Sequence, residues 1–227
     1  MKKLTILIFF ISFAVVLSLT MLSCAQKGKE ESKGDVEFSS DQQNVTIGKQ
    51  VWMTRNLDVS TFRNGDSIPE AKTKGEWKAY SEANEAAWCY YKNDPGNGAQ
   101  YGKLYNWYAV SDPRGLAPKG WHIASDMEWT ILVDYLDEKQ AGWRMKSREG
   151  WYDDGNGTNS SGFSSLPGGY RASDGKFYSI GELGGWWSST EFDTGSSWYR
   201  NMTYDDGIVN GDSGYKGGGL SVRCLRD

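Results

Sequence analysis

Histidine is almost missing from this sequence: the 227-residue chain carries one, His122. A Ser-His-Asp triad or a zinc site would have to be built through that single side chain, so most hydrolase and zinc arrangements are excluded. His122 sits in Gly-Trp-His-Ile-Ala-Ser, between a turn and a helix start, where an imidazole serves local hydrogen bonding, and no ligand spacing around it supports zinc. Basic charge is not in excess either. A net charge of −4 and a pI near 5.2 give no electrostatic reason to expect a nucleic-acid partner. Leu, Ile and Val are thin in the C-terminal half, which argues against a helical bundle, and no internal period points to a propeller or solenoid.

Aromatic residues fill the gap. They make up 14% of the chain, with 11 Trp, a profile that suits an extracellular, loop-rich fold anchored by rings rather than by aliphatic packing. The densest stretch is Tyr101 to Trp129, where Tyr-Gly-Lys-Leu-Tyr-Asn-Trp-Tyr is followed by Pro113, Gly115, Pro118 and Gly120. It ends on Ser125 with Glu128 three residues later, a capping box. Trp129, Leu132, Val133 and Leu136 then fall at i, i+3, i+4 and i+7, which predicts a helix with one buried face.

The N-terminus is organised differently. Lys2 and Lys3 precede an apolar run from Leu4 to Leu22, and Leu22-Ser23-Cys24 places a small residue before a cysteine. The expectation is a lipoprotein signal peptide over residues 1–23, with Cys24 the lipidated residue; a retained membrane helix is the alternative. Residues 24–40 are polar and without periodicity, as in a tether, and Lys29-Glu30-Glu31 resembles the acidic export signal of surface lipoproteins. Residues 41–227 suit one domain, placed by these features at the outer membrane or cell surface and held there by the lipid. With Cys24 modified, Cys89 and Cys224 form an even pair in an exported chain, so a disulfide between them is expected, two reduced buried thiols being the alternative.

Along the domain, Asn44 to Met53 alternates around Gly48 as a β-hairpin, and Gly75 to Glu85 predicts a short helix bearing Trp77 and Tyr80. Ala87 to Tyr91 predicts a buried strand, and Asn93 to Gly98 a loop by its breaker residues. After Gly150 the glycines crowd. Strand-length apolar pieces separate them at Phe163 to Leu166, Trp186 to Ser189, Trp198 to Tyr204 and Leu220 to Leu225, predicting a small antiparallel sheet with long loops.

Several segments carry a family resemblance. Ile47-Gly48-Lys49-Gln50-Val51-Trp52-Met53-Thr54-Arg55-Asn56-Leu57 is similar to the opening of the Fibrobacter succinogenes major paralogous domain. Tyr101 to Tyr108 and Ala117 to His122 resemble its middle signature; Ser161 to Arg171, Trp186 to Glu191 and Ser221 to Cys224 resemble its later blocks. The resemblance implies an α+β, C-type-lectin-like domain with small twisted antiparallel sheets, one or two helices and long Gly/Asn/Asp-rich loops. It implies no established activity.

The candidate site is read from residue chemistry. Trp186, Trp187, Trp198 and Tyr199, with Glu191 nearby, supply the rings and the carboxylate by which sugars are stacked and hydrogen-bonded. Adjacent Trp on a strand point to opposite faces, so at most one of Trp186 and Trp187 lines a given surface. No cofactor is required; the metal that the residue types suit is calcium, through Asp205, Asp206, Asn210 and Asp212. Asp153-Asp154-Gly155-Asn156 is a further oxygen-rich loop of the same kind, though acidic-Gly loops are commonly plain turns. The expected function is non-enzymatic: binding of a glycan or an extracellular partner. A structural or adhesive role toward protein partners is the alternative, and an enzyme like the formylglycine generator would need Cys89 and Cys224 as reactive thiols.

Overall fold

The computed structural model describes residues 44–227. The expected signal peptide, Cys24 and the tether lie outside the described residues. Twelve strands and five α-helices alternate along the described residues. The first hairpin is β1 (Asn44–Ile47) and β2 (Gln50–Met53), turned by Gly48 at φ +61°. The sequence predicts this reversal, and only a residue without a Cβ adopts that angle at no steric cost.

Helix α1 (Lys74–Ala83) begins on a complete capping box between Thr73 and Glu76 and buries Trp77. After β3 (Trp88–Cys89) comes α2 (Pro95–Tyr101), where the breaker residues predict a loop. The reason is positional: Asp94 accepts from the Gly96 amide as N-cap and Pro95 occupies the first turn, so residues that break a helix interior here start one. Then come β4 (Leu104–Asn106), α3 (Trp107–Val110) and β5 (Trp121–Ile123). Helix α4 (Asp126–Tyr135) opens on Ser125 with both halves of the capping box formed, and it buries Trp129, Leu132 and Val133 as the spacing predicts. A short α5 (Ala141–Met145) comes next.

From Gly168 onward the regular elements are all strands: β6 (Gly168–Arg171), β7 (Phe177–Ile180), β8 (Leu183–Glu191), β9 (Ser196–Thr203), β10 (Asn210–Tyr215), β11 (Gly219–Leu220) and β12 (Cys224–Arg226). The strands form three small antiparallel sheets, ordered β1-β2-β12-β5, β10-β9-β8 and β3-β4-β11-β6-β7. The segment from Leu220 to Leu225, predicted as one strand, is divided between two sheets. Between its halves, Ser221 forms a parallel bridge to Trp186, and the Trp187 amide donates to the Ser221 carbonyl at 3.0 Å. The domain is therefore α+β, as expected.

β8 organises the interior. Trp186 enters one buried cluster with Trp52, Trp129 and Phe163, while Trp187 enters another with Tyr105, Trp107, Val222 and Cys224. A third cluster holds Trp77, Cys89, Tyr91 and Leu104. Burying one indole contributes about 4–6 kcal/mol of gross hydrophobic stabilisation, so a few rings replace many aliphatic side chains.

Cations are buried among the rings. Arg171 is 1% exposed, lies over the faces of Trp77 and Phe177, and donates to the carbonyls of Ala71, Thr73 and Gly175. Lys146, over Trp143 and Trp151, donates to the carbonyls of Tyr204 and Asp206, and burial pulls its amine down to about 8. Quadrupole attraction and backbone carbonyls stand in for the missing water.

The expected disulfide is not formed. Cys89 and Cys224 are both free and buried, in different sheets and different clusters. An even count of cysteines says nothing about whether the fold brings them together. Burial pushes the thiols up to about 11 and about 12, so little thiolate exists at neutral pH. Iodoacetamide is expected to leave both residues unmodified in the native protein and to alkylate both in guanidinium; mass spectrometry of the peptides reads the difference.

Candidate functional site

The strand register places a row of side chains across the three-stranded sheet. Trp187 on β8 faces Tyr199 on β9, and Tyr199 faces Asp212 on β10. The two rings meet edge to face, with centroids 6.1 Å apart at 78°. Opposite them, Tyr170 on β6 stacks on its cross-strand partner Tyr178, at 5.4 Å and 26°. Between these walls runs a cleft of about 330 Å³, with Tyr170, Trp187, Tyr199 and Tyr215 contributing rings and Leu183 and Leu220 aliphatic surface.

Two glycines keep the cleft open. A Cβ on Gly214 would lie 3.2 Å from the Tyr199 ring and 3.4 Å from the Trp187 ring. Gly218, beside the Trp187 indole, leaves the same side free of a side chain. The Tyr199 phenol is pushed up, first by burial and then by the negative charge of its cross-strand neighbour Asp212. It therefore stays a protonated donor, and the exposed Asp212 adds carboxylate oxygens at the rim. Flat apolar faces with a few polar groups at their edges bind a ring that is apolar on its face and hydroxylated at its rim.

The predicted site residues divide sharply. Tyr199 and Trp187 line the cleft. Trp187 is nevertheless 1% exposed, with its indole N–H donating to the Tyr105 carbonyl at 2.8 Å, so it serves as floor. Trp186 does not belong to any surface: it is fully buried, and its indole N–H donates to Asn56 Oδ1 at 2.8 Å. Strand alternation sends the two indoles to opposite faces of β8, and both faces are covered. Trp198 projects from β9 on the face opposite Tyr199 and packs edge-on against the exposed Phe192, at 4.9 Å. Glu191 is engaged by the buried Lys216, whose ammonium lies over Trp107.

The oxygen-rich loops are turns or strand. Asp206 Oδ1 accepts from the Ile208 amide, Asp212 Oδ1 from the Ser213 amide, and Asn210 lies in the β10 ladder opposite Asn201. Among the described residues no three His, Cys, Asp or Glu side chains converge as a metal-holding group, so Asp205, Asp206 and Asp212 are not assembled into a calcium cage.

Tyr170 and Tyr215 escaped the sequence reading. Their signal is the alternation of bare glycine with tyrosine in Gly168-Gly169-Tyr170 and Gly214-Tyr215, which sets rings beside backbone that no side chain covers.

His122 is held between two carboxylates, with Nδ1 2.8 Å from Asp227 Oδ1 and Nε2 2.9 Å from Glu128 Oε1. Burial disfavours the imidazolium, but these hydrogen bonds outweigh it and the pKa is raised. Ser125 Oγ turns to the other oxygen of Glu128, at 2.7 Å. A serine bonded to the carboxylate and an imidazole bonded on both nitrogens make a clamp between the α4 cap and the C-terminus, not a nucleophile with its base.

No curated protein matches this sequence. The family model for the Fibrobacter succinogenes major domain matches residues 45–226, which spans every strand and helix described above but for Asn44, the first residue of β1. The chain belongs to the Fibrobacter succinogenes major domain family.

Proposed function

We propose that this domain is a non-catalytic, lectin-like binding module, displayed at the cell surface or outer membrane on a lipid carried by Cys24, and that the ring-lined cleft holds a glycan. The observation that carries the reading is the Trp187–Tyr199–Asp212 row facing Tyr170 across a cleft kept open at Gly214. Ring faces offer stacking while the Tyr199 and Tyr170 hydroxyls and Asp212 offer hydrogen bonds to sugar hydroxyls. Recognition runs through these groups without a metal, so chelation leaves it unchanged.

The test is a glycan array followed by titration calorimetry on the best ligand. Tyr199→Ala and Tyr170→Ala are each expected to weaken binding about tenfold or more, by loss of one stacking face. Gly214→Val fills the cleft and should abolish binding while leaving the circular dichroism spectrum intact. Absence of glycan binding would overturn the reading. Adhesion to protein that free sugars fail to compete would do so in favour of a protein partner.

A further inference from the structure

A second cavity, of about 650 Å³, lies elsewhere on the domain, where the chain leaves β2 and meets the loop after Gly162. Its character is different from that of the aromatic cleft. Polar side chains line it, among them Thr54, Arg55, Asn56, Asp58 and Gln100. Three glycines, at 98, 102 and 162, contribute bare backbone to its wall.

The charge around this cavity is unbalanced. Directly behind Asn56 and Ser164, both of which line it, lies Arg223, 0% exposed. Its guanidinium donates to the carbonyls of Met53 at 2.9 Å and Phe163 at 2.7 Å and to Asn56 Oδ1 at 2.9 Å. Its Nε–H donates to the same Asn56 Oδ1 at 3.2 Å, its fifth N–H reaches the Ser164 carbonyl at 3.5 Å, the outer limit of a hydrogen bond, and the guanidinium lies over the Phe163 ring at 4.4 Å. Every one of these acceptors is neutral. Burial pulls Arg223 down to about 9, so it still carries its charge at neutral pH. Arg55 is exposed on the cavity wall. Among the described residues the one carboxylate that lines the cavity, Asp58, is already paired with the ammonium of Lys103, at 2.5 Å. Carbonyls and the Phe163 ring hold this guanidinium as they hold other buried cations here, yet among the described residues no carboxylate pairs with it, and a cavity whose wall adds a second guanidinium offers a place where an anion is favoured.

We propose that this cavity is a binding site for a small ligand bearing an oxyanion, a carboxylate or a phosphate ester on a sugar-sized body, gripped by Arg55 and neutralising Arg223 through the Asn56–Ser164 wall. Arg55 forms the bidentate contact, Gln100 and Thr54 border the remainder, and the volume admits the ring. The site is independent of the aromatic cleft, with which it shares no lining residue.

Calorimetric titration of the full chain with D-glucuronate and with glucose 6-phosphate, against neutral glucose, tests it. At least one of the two anions is expected to bind ten times more tightly than glucose, and comparison of the two identifies the carboxylate or the phosphate ester as the preferred group. Arg55→Ala should weaken that binding tenfold or more, Arg55→Lys should restore part of it, and raised salt should weaken it. Because Arg55 is exposed, its variants are expected to keep the wild-type melting curve without ligand. Tyr199→Ala should leave anion binding unchanged, which separates this site from the glycan cleft. Equal binding of glucose and both anions, no binding of either anion, or full affinity in Arg55→Ala overturns the proposal.

Discussion

Trp186→Ala is expected to lose about 4–5 kcal/mol of stability, the upper part of the range for large-to-small changes in a core. The indole is fully buried and touches Trp129 and Phe163, with centroids 6.2 Å and 6.3 Å away. Its removal opens a void among rings that are themselves pinned and poorly able to collapse into it. It also takes a donor from Asn56 Oδ1, which must then satisfy its position with Arg223 alone. Trp186→Phe keeps most of the volume but still loses that hydrogen bond, and Trp129→Phe is the informative comparison, because the Trp129 indole N–H has no hydrogen-bond partner among the described residues. Urea denaturation with unchanged m should rank the three as Trp186→Ala, then Trp186→Phe, then Trp129→Phe. A Trp129→Phe cost equal to that of Trp186→Phe would show that packing alone matters.

Arg171→Ala is the second large effect, at about 3–5 kcal/mol. The guanidinium joins three stretches of chain: Ala71 and Thr73 before α1, the Gly175 turn between β6 and β7, and the rings of Trp77 and Phe177. Truncation takes the Arg171 donors from the buried Ala71 and Gly175 carbonyls, while the Thr73 carbonyl keeps the Trp77 amide, and it leaves two ring faces without their cation; each orphaned acceptor is destabilising on its own. Arg171→Lys should recover little, because one ammonium cannot span acceptors that a planar fork reaches from both sides. Arg171→Met keeps the stem packed and isolates the hydrogen-bonding part. Thermal unfolding of the three variants reads these differences, and an Arg171→Lys melting temperature equal to wild type would contradict this account.

Local chemistry was legible in the sequence; the placement of charge was not. The Ser125–Glu128 capping box, the α4 face and the Gly48 hairpin each rest on residues within a few positions of one another, and each appears as expected. The same local rules misplace α2, since Asp94 and Pro95 are loop formers or helix starters according to the residues after them. Long-range partnerships were out of reach. Nothing in Tyr170-Arg171-Ala172 says that the arginine is buried, and nothing about Cys89 and Cys224 says that they belong to different sheets. For the candidate site, Trp187 and Tyr199 were found because rings on strands attract notice. Tyr170 completes the cleft only because two sheets meet there, 29 residues away from Tyr199 in the chain.

A strand with a hydrophobic cluster on each side has a thermodynamic consequence. β8 gives Trp186 to one cluster and Trp187 to the next, so neither cluster can melt while the strand stays in place for the other. The two halves of the interior are thereby bound into one cooperative unit, without the partly open states through which domains with separable cores exchange their amide hydrogens. Amides at the centre of β8 then open only when the whole domain does, and their exchange rates report its global stability directly.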